Sequence, residues 1–302
     1  MDFVFPTANA RRVYDSYKRR AGTHAILITG EAGVGKRSLA FLLAKTVLCG
    51  ADDNPCGTCG SCVRVESRTH PDAHCVRPGD NKSRTISVEQ IRALIEQISI
   101  RSFEGGAKAV IIENADGMQP AAQNALLKSL EEPPGDVFFF LTASRRLDLL
   151  PTIRSRCAWL HLPPLDIERT ADILKSQGFD AKLANEAALY AEGSVGQAAD
   201  YAKTSAEYVR AVESALASVG HAIDIPFAAK KILDLSQKKS GADGGYSALD
   251  IIERYISRLN GFDSEGRIRI YGAIEDSRKR DALFLPKQQT MEDLLAVIME
   301  ER

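Results

Sequence analysis

The chain has 302 residues, of which 44% are apolar and 26% charged, and its formal net charge is −1. This composition is typical of a globular protein of two or three domains, and it excludes an argument for nucleic-acid binding from bulk charge. No apolar run approaches the roughly 20 residues of a membrane-spanning helix, and the first residues do not resemble a secretory signal. We therefore expect a cytoplasmic protein whose six cysteines are metal ligands or buried thiols.

The first predicted elements form a strand, a glycine-rich turn and a helix. Residues 8–20 have a short amphipathic helical pattern, and the apolar run 24–29 predicts a strand buried on both faces. The segment Gly30–Lys36 then has the phosphate-loop pattern G-x-x-x-x-G-K, and apolar residues recur at helical spacing from Leu39 to Val47. In this context the pattern predicts a loop descended from a nucleotide site, and the alternative is a glycine-rich turn without a ligand.

The loop departs from a working site at one position. Its glycines would turn backbone N–H groups toward a phosphate, and Lys36 would reach the outer phosphates. A hydroxyl directly after the lysine normally holds Mg²⁺, but Arg37 stands there and Ser38 comes one position late. We expect a degenerate loop, with or without bound nucleotide. Its candidate nucleotide-binding residues are Gly30, Gly33, Gly35, Lys36, Arg37 and Ser38.

A cysteine motif follows the helix after the loop. The cysteines of a C-x-x-C-x-x-C segment, together with one cysteine seven residues upstream, are Cys49, Cys56, Cys59 and Cys62. Four thiolates form a closed tetrahedral zinc site of the structural kind. The alternatives are free thiols or an iron–sulfur cluster, which usually has a different cysteine spacing. Cys75 and Cys157 lie in strand-like stretches, where a small buried side chain is the default.

The next predicted strand carries a second departure from a working ATPase. Ser87 and Gln90 form a capping-box pattern at the start of a helix, after a polar loop over 79–85. The apolar run from Lys108 then ends in Glu113, followed by Asn114. In a working ATPase the acid at this strand end holds Mg²⁺ and a neighbouring Glu activates water. An amide cannot act as a general base, although a polar strand end alone is also unremarkable.

Three further segments complete the α/β part, and only helical patterns follow them. A helix over 124–132 is stopped by Pro133 and Pro134, and apolar strands are predicted over 137–142 and 158–162. We therefore expect a parallel sheet with helices on both sides. Beyond Pro163 and Pro164, helical patterns cover 166–177, 181–191, 195–203, 205–219, 225–239, 247–259, 265–285 and 291–300, with a polar loop over 238–245.

These motifs together resemble the clamp-loader branch of the AAA+ ATPases of bacterial DNA polymerase III, and within it the delta-prime group. The resemblance covers about two thirds of the chain. It is carried by Gly30–Lys36, the four-cysteine insertion, Thr69–Asp72, the N-A-L-L-K-S-L-E-E-P-P string from Asn124 to Pro134, and Ser155-Arg156-Cys157. It implies an AAA+ P-loop core over 1–163 with a zinc insertion at 49–62, a helical lid over 164–204, and a helical oligomerisation (collar) domain over 205–302.

The resemblance also implies roles for individual residues. Arg156 matches the arginine that this family supplies in trans to ATP on a neighbouring subunit, although a surface arginine is the alternative. Motor subunits have a Gly-Ser-x-Arg motif on the lid, whereas this chain has Gly196 in the arginine's place. With Arg37 and Asn114, this is a third missing motor residue. The implied role is a non-hydrolysing stator in a DNA-directed DNA polymerase holoenzyme, a nucleotidyltransferase.

The implied partners are the gamma/tau and delta subunits of a hetero-pentamer that loads a sliding clamp onto primed DNA. One alternative is an active motor subunit, in which Lys36 binds phosphate, Ser38 takes the metal and Glu113 holds Mg²⁺. Another is a zinc-stabilised DNA-binding module. Its phosphate contacts would come from the basic residues near the N-terminus, which are Arg11, Arg12, Lys18, Arg19 and Arg20.

Overall fold

The computed structural model describes residues 3–79, 85–239, 247–259, 261–283 and 285–301. The chain divides into two compact units. The first extends to Asp166 and includes Ser194–Gly196, and the second comprises Ile167–Gly193 and the chain from Gln197 onward. Within the described ranges, no helix is long and apolar enough to cross a membrane.

Among its described residues, the first unit contains a five-stranded parallel sheet and six complete α-helices. Its strands are Ala25–Thr29 (β1), Ala73–Val76 (β2), Lys108–Ile112 (β3), Val137–Ala143 (β4) and Ala158–His161 (β5). The strand order is β2-β3-β4-β1-β5. The helices are Ala8–Lys18 (α1), Lys36–Leu48 (α2), Gly60–Glu66 (α3), Val88–Ser99 (α4), Pro120–Glu131 (α5) and Pro151–Arg156 (α6). The expected parallel sheet with flanking helices is therefore confirmed.

Both faces of the sheet are covered, as the continuous apolar strands predict. On one face, Ile26 and Ile28 of β1 pack in a cluster with Leu39 and Leu43 of α2. On the other face, Leu27 belongs to a cluster that includes apolar residues of α4, α5 and α6. Alternate residues of β1 thus pack in the apolar clusters on opposite faces of the sheet. Because the strands are parallel, the polar residues that follow them lie at the same edge of the sheet.

Local sequence signals account for several element boundaries. Ser87 and Gln90 form both hydrogen bonds of the predicted capping box at the start of α4. Helix α5 starts at Pro120, four residues before the N-A-L-L-K-S-L-E-E-P-P string. Proline is favoured in the first helical turn, where its missing N–H has no helical partner to lose. It ends at Glu131, before Pro133, as predicted. Residues 80–84 of the predicted loop over 79–85 lie outside the described residues.

In the part that the structure describes, the second unit contains helices joined by turns and no strand. Its helices are Ile167–Ser176 (α7), Ala181–Tyr190 (α8), the end of Val195–Asp200 (α9), Ala206–Ala217 (α10), Ile225–Lys239 (α11), Ala248–Arg258 (α12), Ser264–Ala282 (α13) and Lys287–Glu300 (α14). One apolar cluster extends from Leu174 to Leu295. Helix α14 starts four residues before the predicted segment, with Pro286 as its N-cap. The predicted polar loop over 238–245 lies, from residue 240, outside the described residues.

Candidate functional site

The phosphate-type loop connects β1 to α2 at the carboxyl edge of the sheet. Gly30 is required by close packing, because a Cβ there would lie 2.3 Å from the Leu162 carbonyl oxygen. Gly35 has φ +94° and is the N-cap residue of α2, a conformation that favours glycine. The sequence therefore builds the loop geometry of a phosphate site, with a helix N-terminus directly behind it.

Lys36 is directed into this loop and is almost fully buried. Its Nζ donates to the carbonyl oxygens of Gly30 at 2.6 Å and Glu31 at 2.7 Å, and to Ser144 Oγ at 3.2 Å. Burial lowers the pKa of the Lys36 ammonium, while the charges of Asp116 and Glu31 oppose that shift. The loop lysine thus has acceptors within its own chain.

The residue after the lysine pairs with the acid at the end of β3. Arg37 Nε lies 3.1 Å from Glu113 Oε1, and Arg68 Nη2 lies 3.7 Å from the same oxygen. Cys75 Sγ lies 3.5 Å from this carboxylate as well. The position expected to supply a metal-binding hydroxyl therefore supplies a cation, and the carboxylate expected to bind Mg²⁺ already faces two guanidinium groups.

Asn114 lies in the turn that follows β3. Its φ of +51° lies in the left-handed region, which asparagine tolerates better than most residues. Its backbone N–H donates to Thr142 Oγ1 at 3.0 Å. Asp116, two residues later, accepts from the backbone N–H groups of Ser144 and Arg145, both at 2.9 Å. Asp116 therefore holds the loop that follows β4 through two backbone hydrogen bonds.

The segment that carries Gly196 contacts the phosphate-type loop directly. Ser194 Oγ donates to the Ala32 carbonyl at 2.8 Å, and the Gly196 N–H donates to the Gly33 carbonyl at 2.9 Å. A Cβ at Gly196 would lie 2.8 Å from the Gly33 Cα. The position where motor subunits have an arginine is thus one where even a methyl group would clash with the loop backbone.

The four predicted cysteines lie together. Cys49 Sγ is 3.7 Å from Cys56 Sγ and 3.8 Å from Cys59 Sγ, and all four sulfurs, including that of Cys62, lie within 4.8 Å of one another. A tetrahedral site with Zn–S bonds of about 2.3 Å has sulfur–sulfur separations of about 3.8 Å. These cysteines could therefore hold a metal ion. Cys75 and Cys157 lie outside the cluster. Cys157 is buried, as predicted, whereas the prediction was wrong for Cys75, which is exposed at the sheet-edge strand β2.

The thiols of the cluster differ in pKa. The backbone N–H of Cys59 donates to Cys56 Sγ at 3.3 Å. Hydrogen bonds of this kind, led by that of Cys59, lower the pKa of the Cys56 thiol to about 6. Burial raises the pKa of Cys62 to about 12. Because the thiolate is the ligand form, metal binding would have to displace the proton of Cys62.

The buried side chain of Asp72 accepts hydrogen bonds from the loop before β3. The sequence did not predict these contacts. Asp72 accepts from the backbone N–H groups of Phe103 at 2.8 Å and Glu104 at 2.9 Å, and from Ser102 Oγ at 3.0 Å. Glu104 in turn contacts Arg64 of α3. Burial alone would raise the pKa of Asp72, but these three donors outweigh it and lower the pKa.

Arg156 is the last residue of α6 and is partly exposed. Its Nη1 donates to the Thr152 carbonyl at 2.9 Å and to Ser155 Oγ at 3.4 Å, and its Nη2 contacts Glu131 at the end of α5. Among the described residues, no hydrogen bond or ion pair links Arg156 to the phosphate-type loop. The motif that contains Glu131 is evident in the sequence, but its pairing with Arg156 is not, because the two residues lie on different helices.

The N-terminal basic residues do not form a uniform cationic surface. Arg11 pairs with Asp15 at 3.1 Å, and Lys18 pairs with Asp53 at 2.7 Å. The Arg11 guanidinium also lies 5.3 Å from the centre of the Phe5 ring. At least two of the five candidate phosphate contacts are therefore engaged within the chain.

Sequence comparisons match this chain to subunits of DNA polymerase III. A family model described as "DNA polymerase III, delta subunit" matches residues 7–166. The chain is 33% identical over 296 residues to DNA polymerase III subunit delta' of Bacillus subtilis, covering 95% of this chain and 87% of that protein. It is 38% identical over 151 residues to DNA polymerase III subunit delta' of Escherichia coli, covering 49% of this chain and 45% of that protein.

A solved structure has the same fold. A DNA polymerase III gamma subunit-related protein from Thermotoga maritima matches with a TM-score of 0.59, over 96% of this chain and 99% of that one. Since the two sequences are only 18% identical, this likeness identifies the architecture alone.

Proposed function

The chain belongs to the DNA polymerase III delta' family of AAA+ proteins, and from this premise we propose that it is a non-hydrolysing stator subunit of the clamp loader. In this role it helps to place a sliding clamp on primed DNA as part of a DNA-directed DNA polymerase holoenzyme. The observation that carries the proposal is the ion pair of Arg37 with Glu113.

This ion pair opposes catalysis on electrostatic grounds. Hydrolysis of ATP requires Mg²⁺ between the phosphates and oxygen ligands from the loop and the β3 end. Arg37 brings a fixed positive charge to that place, and a divalent cation beside it would be repelled. Asn114 offers no carboxylate to activate water. Glu113 could bind Mg²⁺ only after leaving Arg37 and Arg68.

The same features bear on nucleotide binding. Lys36 would have to exchange its bonds to Gly30 and Glu31 for bonds to a phosphate. Gly196 provides no guanidinium for that phosphate. We therefore propose that this loop retains the architecture of a phosphate site without productive ATP chemistry.

The chemical contribution proposed for this subunit is Arg156, supplied in trans to ATP on a neighbouring subunit. Its support is its partial exposure at the end of α6, within the Ser-Arg-Cys string that the family resemblance identifies. A guanidinium set against the transferring phosphate accelerates hydrolysis by roughly 10³–10⁵. The proposed partners are the gamma/tau and delta subunits. Residues 164–204 would form the lid and residues 205–302 the collar domain that joins the subunits.

We further propose structural zinc at Cys49, Cys56, Cys59 and Cys62. The support is the sulfur–sulfur spacing, close to that of a tetrahedral thiolate site. All four positions would be protein ligands, which leaves no coordination site for a reacting water. Zinc would therefore stabilise the segment around α3 and take no part in phosphate chemistry.

Titration of the purified chain with ATP–Mg²⁺, followed for both binding and turnover, tests the proposal. We expect no turnover. Steady hydrolysis that is abolished by Lys36→Ala would overturn the stator role and establish the active motor subunit instead.

A further inference from the structure

We propose that Glu131 is a positioning residue for Arg156, holding the guanidinium in the orientation in which it meets a neighbouring subunit's nucleotide. This inference rests on the proposed trans role of Arg156. Glu131 is the last residue of α5, and Arg156 is the last residue of α6. The ends of the two helices thus place the Glu131 carboxylate beside the Arg156 guanidinium, which in the proposed function contacts the neighbouring subunit.

The guanidinium is held from two sides. Its Nη1 donates to the Thr152 carbonyl at 2.9 Å, one helical turn back, and its Nη2 contacts the Glu131 carboxylate. The first contact fixes the side chain along its own helix. The second contact fixes the rotation about that axis, because it comes from a different helix. Together they select one orientation of a side chain with four rotatable bonds.

Buried contacts join the two helices that carry Glu131 and Arg156. Gln123 of α5 is buried, accepts from the Leu150 N–H at 2.7 Å, and donates to the Met118 carbonyl at 3.1 Å. Ile153 of α6 is fully buried in the same apolar cluster as Leu126 of α5. Packing and buried hydrogen bonds therefore fix the positions of both helix backbones. The conformation of the Arg156 side chain is not fixed by these contacts and depends on Thr152 and Glu131.

Exposure indicates that this pair serves orientation more than folding. The Arg156 side chain is 31% exposed and that of Glu131 is 45% exposed. Ion pairs at this level of exposure contribute little to stability, because solvent screens them. An arginine arranged before it meets its target loses less conformational freedom on contact, which favours the reaction geometry.

The chain supplies a matched control in Glu132. It directly follows Glu131, is exposed, and its side chain forms no ion pair within the described part of the chain. Both glutamates lie just before Pro133, so substitution of either changes the net charge at the same place. A difference between the two substitutions therefore reports the contact with Arg156.

The test is steady-state ATP hydrolysis by the reconstituted complex, with kcat and KM measured separately. We expect Glu131→Ala to lower kcat about tenfold with little change in KM, since the guanidinium acts in the transition state. Glu131→Gln should restore most of the rate, because its amide oxygen can still accept from Nη2. Glu132→Ala should behave as the unsubstituted complex. In an Arg156→Ala background, Glu131→Ala should cause no further loss.

Three outcomes would overturn the inference. A higher kcat for Glu131→Ala would mean that the carboxylate competes with the phosphate. A further loss in the Arg156→Ala background would mean that Glu131 acts through something else. An unchanged rate for Glu131→Ala, with Arg156→Ala slow, would leave Arg156 unaided. If Arg156→Ala itself retains the full rate, the trans role fails as well, so the two failures are distinguishable.

Discussion

Arg37 and Glu113 form an ion pair, with 3.1 Å between Nε and Oε1, at the place where a working P-loop ATPase would hold Mg²⁺. Arg68 approaches the same carboxylate oxygen at 3.7 Å. The two guanidinium groups also flank the Phe41 ring, at 5.7 and 5.3 Å from its centre. The pair is thus part of a packed arrangement that neutralises Glu113 without a metal.

Restoring the hydroxyl after the loop lysine should not create an ATPase. Arg37→Ser removes the guanidinium, but Asn114 still provides no general base. We expect no turnover by the isolated variant in a phosphate-release assay. The free energy of unfolding, measured in urea, should fall by about 1 kcal/mol or less, because the Arg37 side chain is half exposed and Arg68 still faces Glu113. Turnover by Arg37→Ser alone would show that Asn114 is not a barrier to hydrolysis.

Loss of one cluster cysteine should abolish metal binding. We expect the unsubstituted chain to carry about one zinc ion per molecule and Cys59→Ser to carry almost none, because three thiolates form an incomplete structural site. Elemental analysis of protein prepared without chelators measures this. Cys75→Ser is the control, since Cys75 lies outside the cluster. Equal metal content in the two variants would contradict the assignment.

The Asp72 contacts should give stability that depends on pH. Asp72→Asn should lower the free energy of unfolding by about 1–3 kcal/mol at neutral pH, because a buried charged acceptor of three hydrogen bonds is lost. The folded-state pKa lies below the ordinary value of about 3.9. The contribution of the Asp72 carboxylate to the free energy of unfolding is therefore complete above about pH 4, and it disappears as the pH falls through the folded-state pKa.

Urea unfolding of both proteins between neutral and acidic pH measures the effect of Asp72. The difference in unfolding free energy between the unsubstituted chain and Asp72→Asn should shrink as pH falls below about 4. Asp136→Asn is the control, because Asp136 is exposed just before β4. A difference that stays constant over the whole pH range would exclude the charge of Asp72 as its cause.

The contact of Gly196 with the loop should make that position intolerant of a side chain. Gly196→Ala places a methyl group 2.8 Å from the Gly33 Cα, and we expect the free energy of unfolding to fall by about 1–3 kcal/mol. Gly106→Ala is the control, since a Cβ there meets no atom within 4 Å. Equal stability of the two variants by thermal unfolding would show that the contact is not maintained in solution.

The sequence predicted features that depend on neighbouring residues. The apolar runs predicted the strands, the Ser87–Gln90 spacing predicted the capping box, and the cysteine spacing predicted the cluster, because each signal lies within one short segment of the chain. It did not predict that Arg68 faces Glu113 or that Glu131 holds Arg156. These contacts depend on the order of strands β2 and β3 and on the packing of α5 against α6, which no local pattern encodes.

The most direct test of the proposed stator role compares two measurements made with the same Arg156→Ala protein. The first is the folded state and complex assembly of the variant, which should match those of the unsubstituted chain, because Arg156 is partly exposed and its ion pair contributes little stability. The second is ATP hydrolysis by the reconstituted clamp loader. Hydrolysis at the site that lacks the guanidinium should fall by roughly 10³–10⁵ and slow the complex. An assembled Arg156→Ala complex that hydrolyses ATP at the unsubstituted rate would contradict the account.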